Sequence, residues 1–185
     1  MDDIIQLVKQ AGQLYLSGDF YGALRLYYKI LSDDLGNSVN YYNIGLVYET
    51  LQDMELAVSY YKKSIKINPN NVRSINNLAR IYIDVIKDYD MVETYLNHAI
   101  EAVPNDAEAY NLYGNLSMIR EDYELAIAYF KKSILLDENY FKNYYDVAVA
   151  QCAINDIDNA KLNLKKSIEL NSNFPKAHEL LKQIS

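Results

Sequence analysis

Apolar residues recur three and four positions apart through most of this chain, in short blocks separated by polar turns. In the clearest block Tyr41, Ile44, Gly45 and Tyr48 fall on one side of a helix, and Ala57 and Tyr61 on one side of the next. Apolar positions at i, i+3, i+4 and i+7 form a stripe along a helix of 3.6 residues per turn, so each block predicts an amphipathic helix with one buried face. The same positions return as Ile75, Leu78, Ala79, Tyr82, Val92 and Leu96, then as Tyr110, Tyr113, Gly114, Ser117, Ala126 and Phe130. They return again as Tyr144, Val147, Ala148, Gln151, Ala160 and Leu164, and an earlier, weaker copy reads Leu7, Gln10, Ala11, Leu14, Ala23 and Tyr27. The pattern predicts five helix-turn-helix units in tandem.

The turns carry their own clock. Asp19, Asp53, Asp88, Asp122 and Asp156 are spaced 34, 35, 34 and 34 residues apart. Each lies four residues ahead of a small apolar residue (Ala23, Ala57, Val92, Ala126, Ala160) and reads as the N-cap of the second helix of its unit. A carboxylate there accepts from free helix N–H groups and meets the positive end of the dipole, contributing about 1 kcal/mol. On the first helix of each pair Ala11, Gly45, Ala79, Gly114 and Ala148 are expected to face the small residue of the second, because small side chains let two backbones approach. A pair of this size cannot bury its apolar face alone, so tandem copies imply a solenoid.

The two ends differ. Pro175 suits the first turn of a last helix, with Ala177, Leu180, Leu181 and Ile184 covering the fifth unit while Lys176, Glu179, Lys182 and Gln183 meet water. No such cap precedes the first unit, where Met1-Asp2-Asp3-Ile4 leads straight into an amphipathic helix. Ile4, Ile5 and Val8 are therefore expected to form an apolar edge for a partner or a second copy of the chain.

The spacing of these blocks closely resembles the tetratricopeptide repeat, whose signature sets an aromatic, Leu-Gly, Tyr, Ala, Phe and Pro at matching offsets. Pro69 and Pro104 complete the second and third copies, whereas Leu35 stands at that position in the first. The resemblance implies an all-α, right-handed α-solenoid forming a single domain over residues 1–185. Its repeats run at about 4–37, 38–71, 72–106, 107–140 and 141–174, with a capping helix at 175–184. It implies also that the first helices line a concave groove for a bound peptide. Carried onto this chain, the groove positions include Tyr42, Asn43, Leu46 and Glu49, then Arg73, Asn76, Asn77 and Arg80. They continue with Glu108, Asn111 and Asn115, then Lys142, Tyr145 and Asp146. The amides of Asn43, Asn76, Asn77, Asn111 and Asn115 can pair with the backbone of an extended peptide, although asparagine also fills ordinary turn sites at Asn70, Asn71 and Asn105. The carboxylate clamp of chaperone-binding members does not carry over: Tyr42, Leu46, Glu108 and Leu112 stand where it needs Lys, Asn and Arg, and only Asn77 matches.

Charge and chemistry narrow the function. A net charge of −7 disfavours nucleic acid as a partner, and the Lys pairs at 62/63, 131/132 and 165/166 read as a solvated outer face. The 19 tyrosines suit thin two-layer packing, with rings buried and hydroxyls at the edge. His98 and His178 stand two repeats apart, Cys152 sits among small packing residues, and no metal-ligand spacing, phosphate loop or nucleophile motif occurs. The single cysteine and the absence of a signal-like apolar run lead us to expect a cytoplasmic protein with no membrane insertion. The expected function is a non-enzymatic adaptor, without cofactor or metal, that binds an extended peptide or helix. A self-assembling scaffold, or a chaperone for secreted proteins, is the alternative.

Overall fold

A computed structural model of the chain describes residues 2–33 and 35–185, the side chains of Asp2 and Asp3 excepted. The described residues are all-α. They divide between Ile86 and Lys87 into two units, each built of stacked antiparallel helices in the solenoid manner. The first unit holds α1 (Asp2–Leu16), α2 (Phe20–Asp33), α3 (Ser38–Thr50), α4 (Met54–Ile67) and α5 (Val72–Ile81), the last continuing as a π-helical turn over Tyr82–Ile86. The second holds α6 (Tyr89–Ala102), α7 (Ala107–Ile119), α8 (Tyr123–Leu136), α9 (Phe141–Ala153), α10 (Ile157–Leu170) and α11 (Pro175–Gln183). In the first unit α1 packs on α2 and α3 on α4; in the second, α7 packs on α8, α9 on α10, and α11 on α10. The core of the first unit centres on Ala11, Ala23, Tyr27, Ile30, Ile44 and Val47. In the second, Phe130, Val147 and Ala150 form one cluster, while Leu164 and Ala177 form another that Leu180, Leu181 and Ile184 of α11 cover.

One residue ends each first helix and begins the second. The N–H of Asp53 donates to Tyr48 O (2.9 Å) and that of Gln52 to Glu49 O (3.0 Å), the two bonds of a Schellman end. The Asp53 carboxylate then accepts from Leu56 N at 3.1 Å. Asp122 repeats the arrangement with Ser117 O and Leu125 N. Asp19 and Asp88 cap Gly22 N and Met91 N. Because both helices meet on a single side chain, the turn tolerates no change of length, which accounts for the strict period. Asp156 departs from the expected cap. Its carboxylate accepts from the Asn159 side chain at 2.8 and 3.0 Å, since only this copy has an amide three residues on, where the others carry Gly22, Leu56, Met91 and Leu125.

The geometry requires a left-handed residue just before each aspartate, and Gly18 (φ 86°), Gln52 (65°), Lys87 (61°), Glu121 (59°) and Asn155 (61°) supply it. A side chain in this region costs about 1–2 kcal/mol, of which glycine's extra unfolded-state freedom gives back about half. Glu121→Gly is therefore expected to stabilise the protein by about 0.5–1 kcal/mol in urea unfolding. An unchanged or lower midpoint would contradict the strain.

The single 35-residue interval has a structural cause. Asp88 lies seventeen positions after the cap residue Asn71, whereas Asp53, Asp122 and Asp156 lie sixteen after Asn37, Asp106 and Tyr140. The extra residue falls in the first helix of the third repeat. The wider π turn at Tyr82–Ile86 absorbs it without shifting the stripe that precedes it.

In two repeats the small residue of the first helix makes room for a ring. A Cβ at Gly45 would stand 2.7 Å from two ring carbons of Tyr61, and one at Gly114 would overlap the ring of Phe130. These glycines seat the broad ring of the second helix, whose carbons would be the nearest neighbours of any Cβ there.

Buried serines tie the repeats together. Ser64, Ser133 and Ser167 donate to the first carbonyl of the preceding helix of their own repeat, Ser38 O (2.8 Å), Ala107 O (2.7 Å) and Phe141 O (2.9 Å). Ser64 also accepts from Asn71, the cap residue of α5, and from Ser74 of the next repeat, and Ser133 accepts from Asn143 of the next repeat. The first repeat has Ile30 at the serine position. Asn40, equivalent to Asn143, is accordingly 1% exposed with neither amide atom hydrogen-bonded. Ser74 and Ala109 fill the same position elsewhere, so a small residue fits. Asn40→Ala should raise stability by about 1 kcal/mol, by removing an unmet polar group and improving helix propensity. Thermal unfolding checks this, and a lowered midpoint would show that the amide is satisfied.

Candidate protein-interaction groove

In the first unit four side chains from three helices close a polar ring. Arg80 on α5 donates from Nη1 to Glu49 Oε1 on α3 (2.6 Å) and from Nη2 to Asn77 Oδ1 (2.8 Å). Asn77 Nδ2 donates to the Tyr61 hydroxyl on α4 (2.8 Å), which donates to Glu49 Oε2 (2.7 Å). Burial, then the Glu49 carboxylate, holds the Tyr61 phenol far above its ordinary range, so it stays a neutral donor. Both polar ends of Asn77 are thus engaged within the protein, and Asn76 is buried at 1% exposure. Tyr42, Asn43 and Leu46 on α3 are half-buried, Arg73 is exposed, and the Tyr42 ring packs 5.9 Å from that of Tyr61.

The second unit carries a chain of amides that ends on a carboxylate. Asn115 Nδ2 donates to Asn111 Oδ1 (3.2 Å) on α7, and Asn111 Nδ2 is shared between Asn143 Oδ1 (2.9 Å) and Asp146 Oδ2 (3.1 Å) on α9. Asn143 donates in turn to Ser133, which is anchored on the backbone of α7. Asp146 is mostly buried, and desolvation pushes its carboxyl up to about 6 against the lowering effects of the Asn111 hydrogen bond, Lys142 and Lys176. Glu108 and Lys142 are exposed beside this row, and Tyr145 packs edge-on against Phe174 at 5.1 Å.

The sequence-derived positions therefore separate into two kinds. Tyr42, Asn43, Leu46, Arg73, Glu108, Lys142 and Tyr145 present accessible surface, whereas Asn76, Asn77, Arg80 and Asn111 belong to the packing between repeats, with Asn115 joined to them. Tyr61 and Asn143 complete these networks and were not among the groove positions. Their signal is the pairing of Tyr61 with Gly45 and the fixed offset between Asn143 and Ser133. At the N-terminal edge Ile4 and Val8 pack partly against the first core, and Ile5 remains 67% exposed.

Among the described residues no group of three or more His, Cys, Asp or Glu side chains could hold a metal ion, and no helix is long and apolar enough to cross a membrane. A family model for the tetratricopeptide repeat matches residues 39–71 and 107–140, and a second of the same description matches 60–92. Photosystem I assembly protein Ycf3 of Rippkaea orientalis (strain PCC 8801 / RF-1) is 32% identical over 111 residues, covering 51% of this chain and 64% of that protein. The chain thus spans less than two thirds of this relative's length. Among solved structures, PilF of Pseudomonas aeruginosa matches 99% of this chain and 83% of its own at 17% identity, with a TM-score of 0.88. YrrB, a repeat protein described as having an unusual peptide-binding site, matches 95% and 90% at 21% identity, with a TM-score of 0.69. Proteins of this fold are generally interaction and assembly modules. Residues 39–92 and 107–140 thus match tetratricopeptide-repeat models, and the chain shares its fold with solved repeat proteins.

Proposed function

We propose that this chain is a protein-interaction adaptor that holds an extended peptide segment of a partner against the first helices of its repeats. One observation carries the reading: in both units a network of hydrogen bonds, through Tyr61, Asn77 and Arg80 in the first and Asn111, Asn115 and Asn143 in the second, fixes the first helices beneath their accessible side chains. A surface ordered in advance loses little rotamer freedom on binding, so more of the contact energy appears as affinity. Asn43 and Asn115 offer donors and acceptors to a peptide backbone, Tyr42 and Tyr145 offer ring faces, and Arg73, Glu108 and Lys142 select charge. The peptide-binding site named for YrrB supports the same use of the fold.

Panning a display library of random peptides on the whole chain tests this. Selected peptides should bind roughly tenfold or more weakly to Tyr42→Ala, a loss of about 1.4 kcal/mol or more, and normally to a variant of the exposed Leu162 on α10. Peptides indifferent to the groove substitution would sink the proposal.

A second reading, a scaffold that assembles through α1, is favoured by the exposure of Ile5. Light scattering decides it. A mass that rises with concentration and is reset by Ile5→Lys supports assembly, and a constant monomer mass removes it.

A further inference from the structure

Asp146 sits badly as a structural residue. A carboxylate offers about four acceptor positions, yet this one takes a single side-chain hydrogen bond, from an Asn111 amide that it shares with Asn143. Among the described residues no ion pair reaches it; the nearby charges are Lys142 on its own helix and Lys176 on α11, and together they only partly offset its burial. The residue nevertheless remains partly open to solvent on the groove side of α9, next to Tyr145. The position shows no structural need for charge, since Asn43, Asn77 and Leu112 occupy it in the three preceding repeats. Of the net charge of −7, residues from Lys87 onward contribute −6, with ten Lys and Arg against sixteen Asp and Glu.

We propose that Asp146 is the seat for a cationic side chain, lysine or arginine, of a polypeptide bound along the first helices of the second unit. Asn111, itself bonded to Asn143, holds the carboxylate in orientation, and the Tyr145 ring flanks the aliphatic stem of the incoming residue. The cation supplies the partner that the buried carboxylate lacks, and it favours the ionised form over the protonated one. Binding is therefore linked to pH: acidification through about 6 protonates Asp146 and releases the ligand, while the lysine or arginine itself stays charged. The negative balance of the unit draws such a segment in, and its charge selection is the reverse of a clamp built to hold a free carboxylate. This inference rests on the adaptor reading of the groove and specifies its ligand.

The test uses three capped pentapeptides, with arginine, glutamate or alanine between alanine pairs, titrated into the labelled whole chain and followed by NMR at the Asn111 and Asn115 side-chain amides. The arginine peptide should shift both amides at pH 7, bind roughly tenfold more weakly at pH 5, lose its effect in Asp146→Asn and keep it in Asp146→Glu. The glutamate and alanine peptides should leave the amides unmoved. If arginine, glutamate and alanine peptides act alike, or Asp146→Asn retains the arginine response, the cation site is overturned. Library peptides that still require Tyr42 would in that case leave the adaptor reading standing. If neither the arginine peptide nor any library peptide senses the groove substitutions, both fall.

Discussion

Gly114→Leu is expected to destabilise the protein by about 3 kcal/mol, at the upper end of what overpacking costs. Phe130 is 1% exposed, wedged with Ala126, Val147 and Ala150, and an added Cβ at position 114 already overlaps three of its ring carbons. The ring is held on its far side by the next repeat, so it cannot swing away as the end of a long flexible side chain could. Even Gly114→Ala should lose stability, although alanine in a helix gains about 1 kcal/mol over glycine. The fifth repeat shows how the conflict is relieved, because Ala148 there shares a cluster with Leu164 in place of an aromatic ring. Phe130→Leu in the Gly114→Ala background should therefore cost less than the sum of the two single changes. Urea unfolding of the four proteins measures the coupling, and strict additivity would show that position 114 and the ring do not meet.

The helix pairs were legible because two independent signals agree: the stripe at three and four residues, and the aspartate that recurs at the turn. The left-handed residue before that aspartate was not legible. Gln52 and Glu121 carry no turn signature, and the pair of Schellman hydrogen bonds, not local preference, sets their conformation. The 35-residue interval was visible in the sequence, but its consequence, a π turn rather than a longer loop, depends on the capping residues at both ends being fixed. The site was legible only as a set of positions. Asn43, Asn77, Leu112 and Asp146 share one place in the repeat, yet Asn77 is sealed in a ring with Tyr61 and Arg80, Leu112 is buried and Asp146 is left with one hydrogen bond. Those outcomes are decided by neighbours on other helices, sixteen or more residues away in sequence, and spacing along one helix does not report them.

Asp146→Asn is expected to make the protein more stable at neutral pH by about 1–3 kcal/mol. The carboxyl lies at about 6 in the folded chain, against 3.8 without its surroundings, because burial disfavours its charged form. The folded state therefore holds the proton more tightly than the unfolded state does, and between about pH 4 and 6 it binds more protons. Stability attributable to this group accordingly falls as the pH rises through that window, and above it the whole cost is present. Asparagine never ionises and still presents an oxygen to Asn111, so it removes the cost without removing the hydrogen bond. Urea unfolding of the wild type and the variant at pH 7 and near pH 4 tests the sign: the advantage of the variant should be large at pH 7 and small at pH 4. An equal difference at both values, or a less stable variant at pH 7, would show that the carboxylate is satisfied where it sits. An aspartate whose nearest neutral isostere folds better is held in place by something other than folding. A cationic ligand answers that description, since it alone makes the charge at Asp146 favourable.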